Sequence, residues 1–225
     1  MQRNKEKKFI QKIHNSTKRD YLNRMINEKV KAMKIASKFG YDYWDGSRKY
    51  GYGGHKFIEG YWAGLAKKLI NNYNLNNKSK ILDIGCGKGF LLYEIKKILP
   101  EIRIKGLDIS SYAIKNSHKI IKKYLKIHKA ENMNNLKYKK NAFDLTISIN
   151  CLHNLELSDL QKSLNEISYI SKKSYIVVES YKDESELFNL QCWALTCKSF
   201  FSKREWIYLF KLFNYKGDFE FITFK

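Results

Sequence analysis

The sequence predicts an α/β fold, a mostly parallel sheet with helices on both faces and a helical N-terminal extension. Three observations predict it. From about Lys80, short apolar runs alternate with amphipathic segments, as in strands joined by covering helices. A glycine-rich turn, Gly85-Cys-Gly-Lys-Gly89, joins one such run to the segment that follows. A second acid, Asp108, closes the next run, 25 residues after Asp83.

The first 38 residues read as helical, with Tyr21, Leu22, Met25, Ile26, Val30 and Met33 at helical spacing and Gly40 ending the pattern. A glycine- and aromatic-rich stretch, Tyr41 to Gly54, is neither periodic nor low in complexity. Ile58, Tyr61, Trp62, Leu65, Leu69 and Tyr73 then share one face of a second amphipathic helix, and residues 71–79 form a polar connector. Ile81 to Ile84 is a buried-type strand, Phe90 to Leu99 a helix stopped by Pro100, and Ile102 to Leu107 a strand. Ser110 caps a helix expected to reach about Leu125. Strands are expected at Lys126–Ala130, Phe143–Ile149, Tyr175–Glu179 and Phe219–Phe224. Helices are expected around Leu157–Ile167 and from Ser202 to about Phe213. With no internal repeat and no proline- or serine-rich linker, one domain is the economical parse. Residues 1–56 form the extension with a lid loop, and 57–225 the main domain.

Composition excludes several classes. At 225 residues and 44% hydrophobic, the chain supports one sizeable core and is not a disordered sequence. No apolar run is long enough to span a bilayer, and Met1 to Lys12 lacks the apolar core of a secretory signal. Four cysteines without a C-x-x-C pair make neither a disulfide framework nor a zinc ribbon, so reduced thiols in a cytoplasm are expected. No cluster of Asp and Asn suggests a bound metal. The net charge is +21, and it is uneven: residues 1–40 hold 12 Lys/Arg against 3 Asp/Glu, 41–150 hold 21 against 9, and 151–225 hold 10 against 10. A basic front could draw phosphate-rich partners. Yet only 6 of the 43 basic residues are arginine, the better bidentate phosphate reader. With 19 asparagines and one proline, the composition fits a biased genome better than a selected binding surface.

The glycine turn lets backbone approach a ligand and opens a helix N-terminus. Its spacing is G-x-G-x-G, not the G-x-G-x-x-G of dinucleotide sites, and no P-loop is present. Asp83, two residues before the first glycine, suits an ammonium or sulfonium better than a pyrophosphate, by simple charge. Asp108 stands where an open α/β sheet offers a carboxylate to a ribose diol.

These residues resemble the class I S-adenosylmethionine-dependent methyltransferases over roughly Lys80 to Lys225. The resemblance rests on the D-x-G-x-G-x-G loop, on Asp108 and on Phe143-Asp-Leu-Thr-Ile-Ser-Ile-Asn-Cys-Leu-His-Asn-Leu155, which is similar to the family's fourth-strand motif. It implies a Rossmann-like seven-stranded sheet ending in an antiparallel hairpin. It implies S-adenosyl-L-methionine as cofactor and S-adenosyl-L-homocysteine as product. Asp83, Gly85, Gly87 and Gly89 would face the methionine part, with Cys86 a small packing residue among them. Asp108 would hold both ribose hydroxyls and Ile109 would pack on the adenine. Ala130 and Glu131 would flank the adenine amine, although His128-Lys129 stand where many relatives carry Gly-Asp. Asn150 would lie below the methionine. The stretches Tyr43–Gly54, Glu179–Tyr181 and Gln191–Cys197 are similar to a bacterial subgroup associated with surface-polysaccharide and small-molecule genes.

For the acceptor, His153 follows the fourth strand and Glu179 ends the fifth. Each is a candidate base, and each has a plain alternative, a helix-start residue and a helix cap. Arg48, Tyr50, Tyr52 and His55 are candidates for a lid, or for a packed loop. Tyr181 and Trp193 are candidates for a pocket wall, or for core. The Pro-Pro-aromatic motif of base-amine methylation is absent, and Cys151 follows Asn rather than Pro, which argues against cytosine chemistry. The expected acceptor is a small polar metabolite such as a sugar or nucleotide-sugar, methylated on O or N by a monomer or homodimer. Nucleic-acid methylation through the basic N-terminal region and a catalytically silent cofactor-binding subunit are the alternatives.

Overall fold

The computed structural model describes residues 4–15, 17–53 and 55–225. Met1–Arg3, Ser16 and Gly54, parts of the expected extension and lid loop, lie outside them. In chain order come α1 (Gln11–Asn15), α2 (Tyr21–Ile26), α3 (Lys29–Ala36), α4 (Tyr41–Trp44), α5 (Ala63–Tyr73), β1 (Lys80–Ile84), α6 (Phe90–Ile98), β2 (Arg103–Asp108), α7 (Ser111–Lys115), β3 (Leu125–Ile127), β4 (Phe143–Ile149), α8 (Leu157–Ile170), β5 (Ser171–Glu179), α9 (Glu184–Trp193), α10 (Lys203–Leu212) and β6 (Asp218–Ile222). No helix among the described residues is long and apolar enough to cross a membrane.

The six strands form one sheet in the order β3-β2-β1-β4-β5-β6, and every neighbouring pair is parallel. Side chains alternate across it. Ile81, Leu145, Ile147, Tyr175 and Val177 pack with α5 and α6 on one face. Leu82, Ile84, Ile176 and Val178 pack with α8 and α10 on the other. The order reverses between β1 and β4, and the crevice at the carboxyl ends of these strands is where such sheets bind ligands.

Several expectations need correction. Among the described residues the sheet has six strands, not seven, and it does not end in an antiparallel hairpin. Instead, β6 returns parallel to β5 after the crossover through α9 and α10. The far edge of β6 is met by the chain's own start, where Phe219 N–H donates to Lys5 O at 3.1 Å and Lys7 N–H donates to Phe219 O at 2.8 Å. The buried Glu220 carboxylate accepts the N–H groups of Phe9, Ile10 and Gln11 and the Tyr175 hydroxyl. It therefore fastens the first turn of α1 to the sheet. The helix capped by Ser110 also stops at Lys115 rather than near Leu125. Ser117 Oγ donates to Ile114 O, and the His118 ring turns in to lie 4.0 Å from that of Tyr93.

The N-terminal segment is not one long helix. Asp20 caps α2 through Asn23 N–H, and Glu28, with φ 53°, breaks the chain before α3. The inner sides of these two helices are cationic or small. Lys29 Nζ donates to Cys192 O and Ala194 O, and Arg24 Nε to Trp193 O, so two cations satisfy the free carbonyls at the end of α9. Ala32 and Ala36 bury beside Leu195. The larger apolar residues of the pattern, Leu22, Met25, Ile26, Val30 and Met33, face solvent. The next helix begins at Ala63 rather than Ile58, because Gly60, with φ 77°, turns its N–H onto the buried Glu94 carboxylate.

Candidate active site

A cavity of about 570 Å³ opens at the carboxyl edge of the sheet, a size typical of small-ligand sites. Its floor is built from the ends of β1 and β2. Gly85 and Cys86 donate their N–H groups to Leu107 O, which straps the glycine turn to β2. Asp108 accepts Gly87 N–H at 2.7 Å and Ser110 N–H at 2.8 Å. Burial pushes its carboxyl above the usual range, and those two donors partly offset the effect. Asp83 is pushed further, to about 8, first by burial and then by the negative Asp108. Neither carboxylate has a cationic partner among the described residues. Cys151 also lines the cavity, and burial raises its thiol to about 12, so it is not a ready nucleophile.

The roof comes from the extension. Gly87, with φ 55°, lies so close under Trp44 that a Cβ there would sit 2.7 Å from the indole. Trp44 Nε1 donates to Phe39 O and Ser110 Oγ. Asp45 accepts from Lys88 Nζ at 2.6 Å and from the Tyr112 hydroxyl at 2.8 Å, tying α4 to the glycine turn and to α7. His55 stacks on Tyr43, with ring centroids 5.4 Å apart, and meets Trp44 edge-on at 4.6 Å. Its Nε2 is buried and has no hydrogen-bond partner among the described residues. Burial, then the Lys88 ammonium, lower its pKa to about 4, against the pull of Asp45. His55 is thus neutral at physiological pH, and its ring lines the cavity.

Of the cofactor candidates, Asp83, Gly85, Cys86, Gly87, Asp108, Ile109, Ala130, Glu131 and Asn150 all line this one cavity. Gly89 does not. Its missing side chain leaves room for Ile121 and Leu125, so it serves the fit of α6 against the sheet. His153 and Glu179 lie behind the cavity wall, both buried. Glu179 N–H donates to His153 Nδ1, and His153 Nε2 stands 3.5 Å from Glu179 Oε2. Burial raises Glu179 to about 7 and lowers His153 to about 3, favouring the neutral form of each. The His153 carbonyl holds Lys198 N–H and Ser199 N–H, which fixes the loop whose Thr196 and Lys198 line the cavity.

Of the lid and wall candidates, only His55 lines the cavity. Arg48 is exposed, its guanidinium 5.3 Å over the Trp193 ring, which also carries Arg24 at 4.2 Å and Arg19 at 5.5 Å. Tyr50 packs with Ala32, Ala36 and Leu195, and Tyr181 packs beside Trp193. The Tyr52 hydroxyl accepts Leu195 N–H at 2.7 Å, so it braces the same loop from behind. Tyr43, Trp44, Asp45, Lys88, Thr196 and Lys198 were not among the residues expected at the site. The density of aromatics around Tyr43 was the available signal. The pairing of Asp45 with Lys88 spans 43 positions and has none in sequence.

Residues 75–216 match the methyltransferase domain family. Sterol 24-C-methyltransferase of Candida albicans is 21% identical over 81% of this chain, which spans only 60% of that enzyme. A SAM-dependent methyltransferase from Archaeoglobus fulgidus superposes with a TM-score of 0.52 at 20% identity, covering 77% of this chain and 71% of the other. Geranyl diphosphate C-methyltransferase from Streptomyces coelicolor, solved with Mg2+, geranyl diphosphate and S-adenosyl-L-homocysteine, gives 0.53 at 14%, covering 66% and 58%. The donor set here fits S-adenosylmethionine. Two buried carboxylates without counter-ions await positive charge and hydroxyl donors, and a glycine turn leaves space above them. With well over half of its length matched, and with a cavity suited to that cofactor, the chain belongs to the methyltransferase domain family.

Proposed function

We propose that the chain transfers a methyl group from S-adenosylmethionine to an oxygen or nitrogen of a small polar acceptor, such as a sugar or nucleotide-sugar. One observation carries this: in a chain of net charge +21, the floor of the cavity is formed by two buried carboxylates with no cationic partner among the described residues. Bound S-adenosylmethionine supplies a methyl group on a positively charged sulfur. Asp83 holds the positive end of the cofactor, Asp108 its ribose hydroxyls, and Ile109, Ala130 and Glu131 its base. Asn150 lies under the methionine part. Tyr43, Trp44 and His55 close over the cavity and exclude water, which favours an aligned displacement. Neutral His55 borders the acceptor's side of the cavity, and Thr196 and Lys198 give it polar contacts. His153 and Glu179 position the Thr196–Lys198 loop.

Nucleic acid is less well served. Arg19, Arg24 and Arg48, three of the six arginines, gather around Trp193, and Lys29 is turned into the fold. They are not free to track phosphates. Asp108→Ala is expected to weaken S-adenosylhomocysteine binding at least about tenfold in calorimetric titration, the cost of a charge-assisted pair of hydrogen bonds, while leaving the thermal transition in place. Unchanged affinity would remove the ribose role. Incubation with labelled cofactor and a metabolite extract then identifies the acceptor, and label found only in RNA would overturn the small-molecule reading.

A further inference from the structure

We propose that α2 and α3 form a docking surface for an anionic lipid membrane. The helices carry a pattern turned inside out. Their inner sides are held by Arg24, Lys29, Ala32 and Ala36, while within twelve residues five large apolar side chains face solvent. Leu22 is 62% exposed, Ile26 80% and Val30 65%, with Met25 and Met33 at 39% each. Isolated exposed apolar residues are ordinary, but five on adjoining short helices are not, and the chain spends buried cations to present them.

Charge selects the partner. Lys18, Lys34 and Lys38 are exposed around these residues, and their ammonium groups have no carboxylate partner among the described residues. Of the exposed acids that start the two helices, Glu28 is neutralised by both Lys31 and Lys49, and Asp20 is turned onto Asn23 N–H as the cap of α2. Large aliphatic and methionine side chains with a lysine rim match the interface of an anionic bilayer, where apolar groups insert and lysines meet headgroups. A bare polyanion such as RNA would leave the five apolar side chains in water. Ser37 and Phe39, which follow α3 directly, line the cavity, so docking brings the rim of the active site to the headgroups. The proposal rests on the extension and not on the identity of the methyl acceptor.

The test is flotation of the full chain with vesicles of phosphatidylcholine alone and with phosphatidylglycerol added. Binding is expected only to the anionic vesicles. The double variant Ile26→Asp/Val30→Asp is expected to lower it at least about tenfold. Lys34→Gln/Lys38→Gln is expected to lower it by about fivefold per lysine. These positions lie outside the cavity, so S-adenosylhomocysteine affinity in solution stays unchanged and reports an intact fold. Three results would overturn the proposal: no binding to anionic vesicles; binding that Ile26→Asp/Val30→Asp leaves intact, which would trace it to bulk charge; or a concentration-dependent dimer in sedimentation that the same variant abolishes, which would give the face to a second copy. Failure of methyl transfer would leave the vesicle result standing.

Discussion

Asp83 and Asp108 reach the cavity floor because each ends a parallel strand, and the glycine turn between them has no side chains to fill the space above. Burial, and then the repulsion of Asp108, hold Asp83 mostly protonated near neutral pH. A cationic ligand favours the ionised form, so its binding expels a proton, and its affinity rises with pH through about 8 and levels off only above it, where Asp83 is ionised without help. In Asp83→Asn that contribution disappears. Calorimetric affinities for S-adenosylmethionine at pH 6, 7 and 8 are expected to climb more steeply for the native chain than for the variant, and parallel curves would exclude Asp83 as the counter-ion. The joint pattern of Asp83, the glycines and Asp108 was legible in sequence because strand ends and turns are local. His153 and Glu179 occupy the strand ends foreseen for them, yet their side chains turn to each other behind the wall. Which way a strand-end side chain points depends on packing from α10 and the Thr196–Lys198 loop, and that is not written near either residue.

At the scale of elements, the strands and the amphipathic helices α6, α8 and α10 follow from their periodicity, and α10 carries the capping box of Ser202 and Glu205. The misreadings trace to contacts distant in sequence or to turns without a periodic signature. Apolar spacing on α2 and α3 forecast a buried face, but tertiary contacts with α9 turned the cations inward instead. Helix α9 itself, capped by Asp183, was not foreseen, because it is buried by Leu190 and Trp193 near its end rather than along a regular stripe. The tie between α1 and β6 is long-range and equally invisible. It depends on the buried Glu220, whose loss strands three backbone donors and a tyrosine hydroxyl. Glu220→Ala is expected to destabilise the chain by about 3–5 kcal/mol in denaturant unfolding. A cost below about 1 kcal/mol would mean that water replaces it freely.

For the whole molecule, buried titratable groups set a stability profile. His14 and His55 are lowered to about 4 and His153 to about 3, each chiefly by burial, so the unfolded chain binds more protons below pH 6.5 and stability rises with pH up to there. Asp83 and Glu179 are raised to about 8 and about 7, so the folded chain holds extra protons and stability falls as pH rises through their range. The two trends oppose below pH 6.5, and above it the carboxyls lead until Lys29, lowered to about 8 chiefly by burial, begins to oppose them near pH 8. Ligand-free protein is therefore expected to lose stability between pH 6.5 and 8, by up to about 1.4 kcal/mol per pH unit for each group, and Asp83→Asn/Glu179→Gln is expected to flatten that limb. Unfolding curves across this window, identical for the two proteins, would contradict it.

The joining of Lys5–Gln11 to β6 has a consequence for biosynthesis. The bond from Phe9 N–H to Glu220 links residues 211 positions apart, so the first of the two segments to leave the ribosome waits for the second before it can settle. Until then α1 has no anchor and the outer edge of β5 is bare, an invitation to wrong pairing that a nascent chain meets by folding late, or under the care of a chaperone.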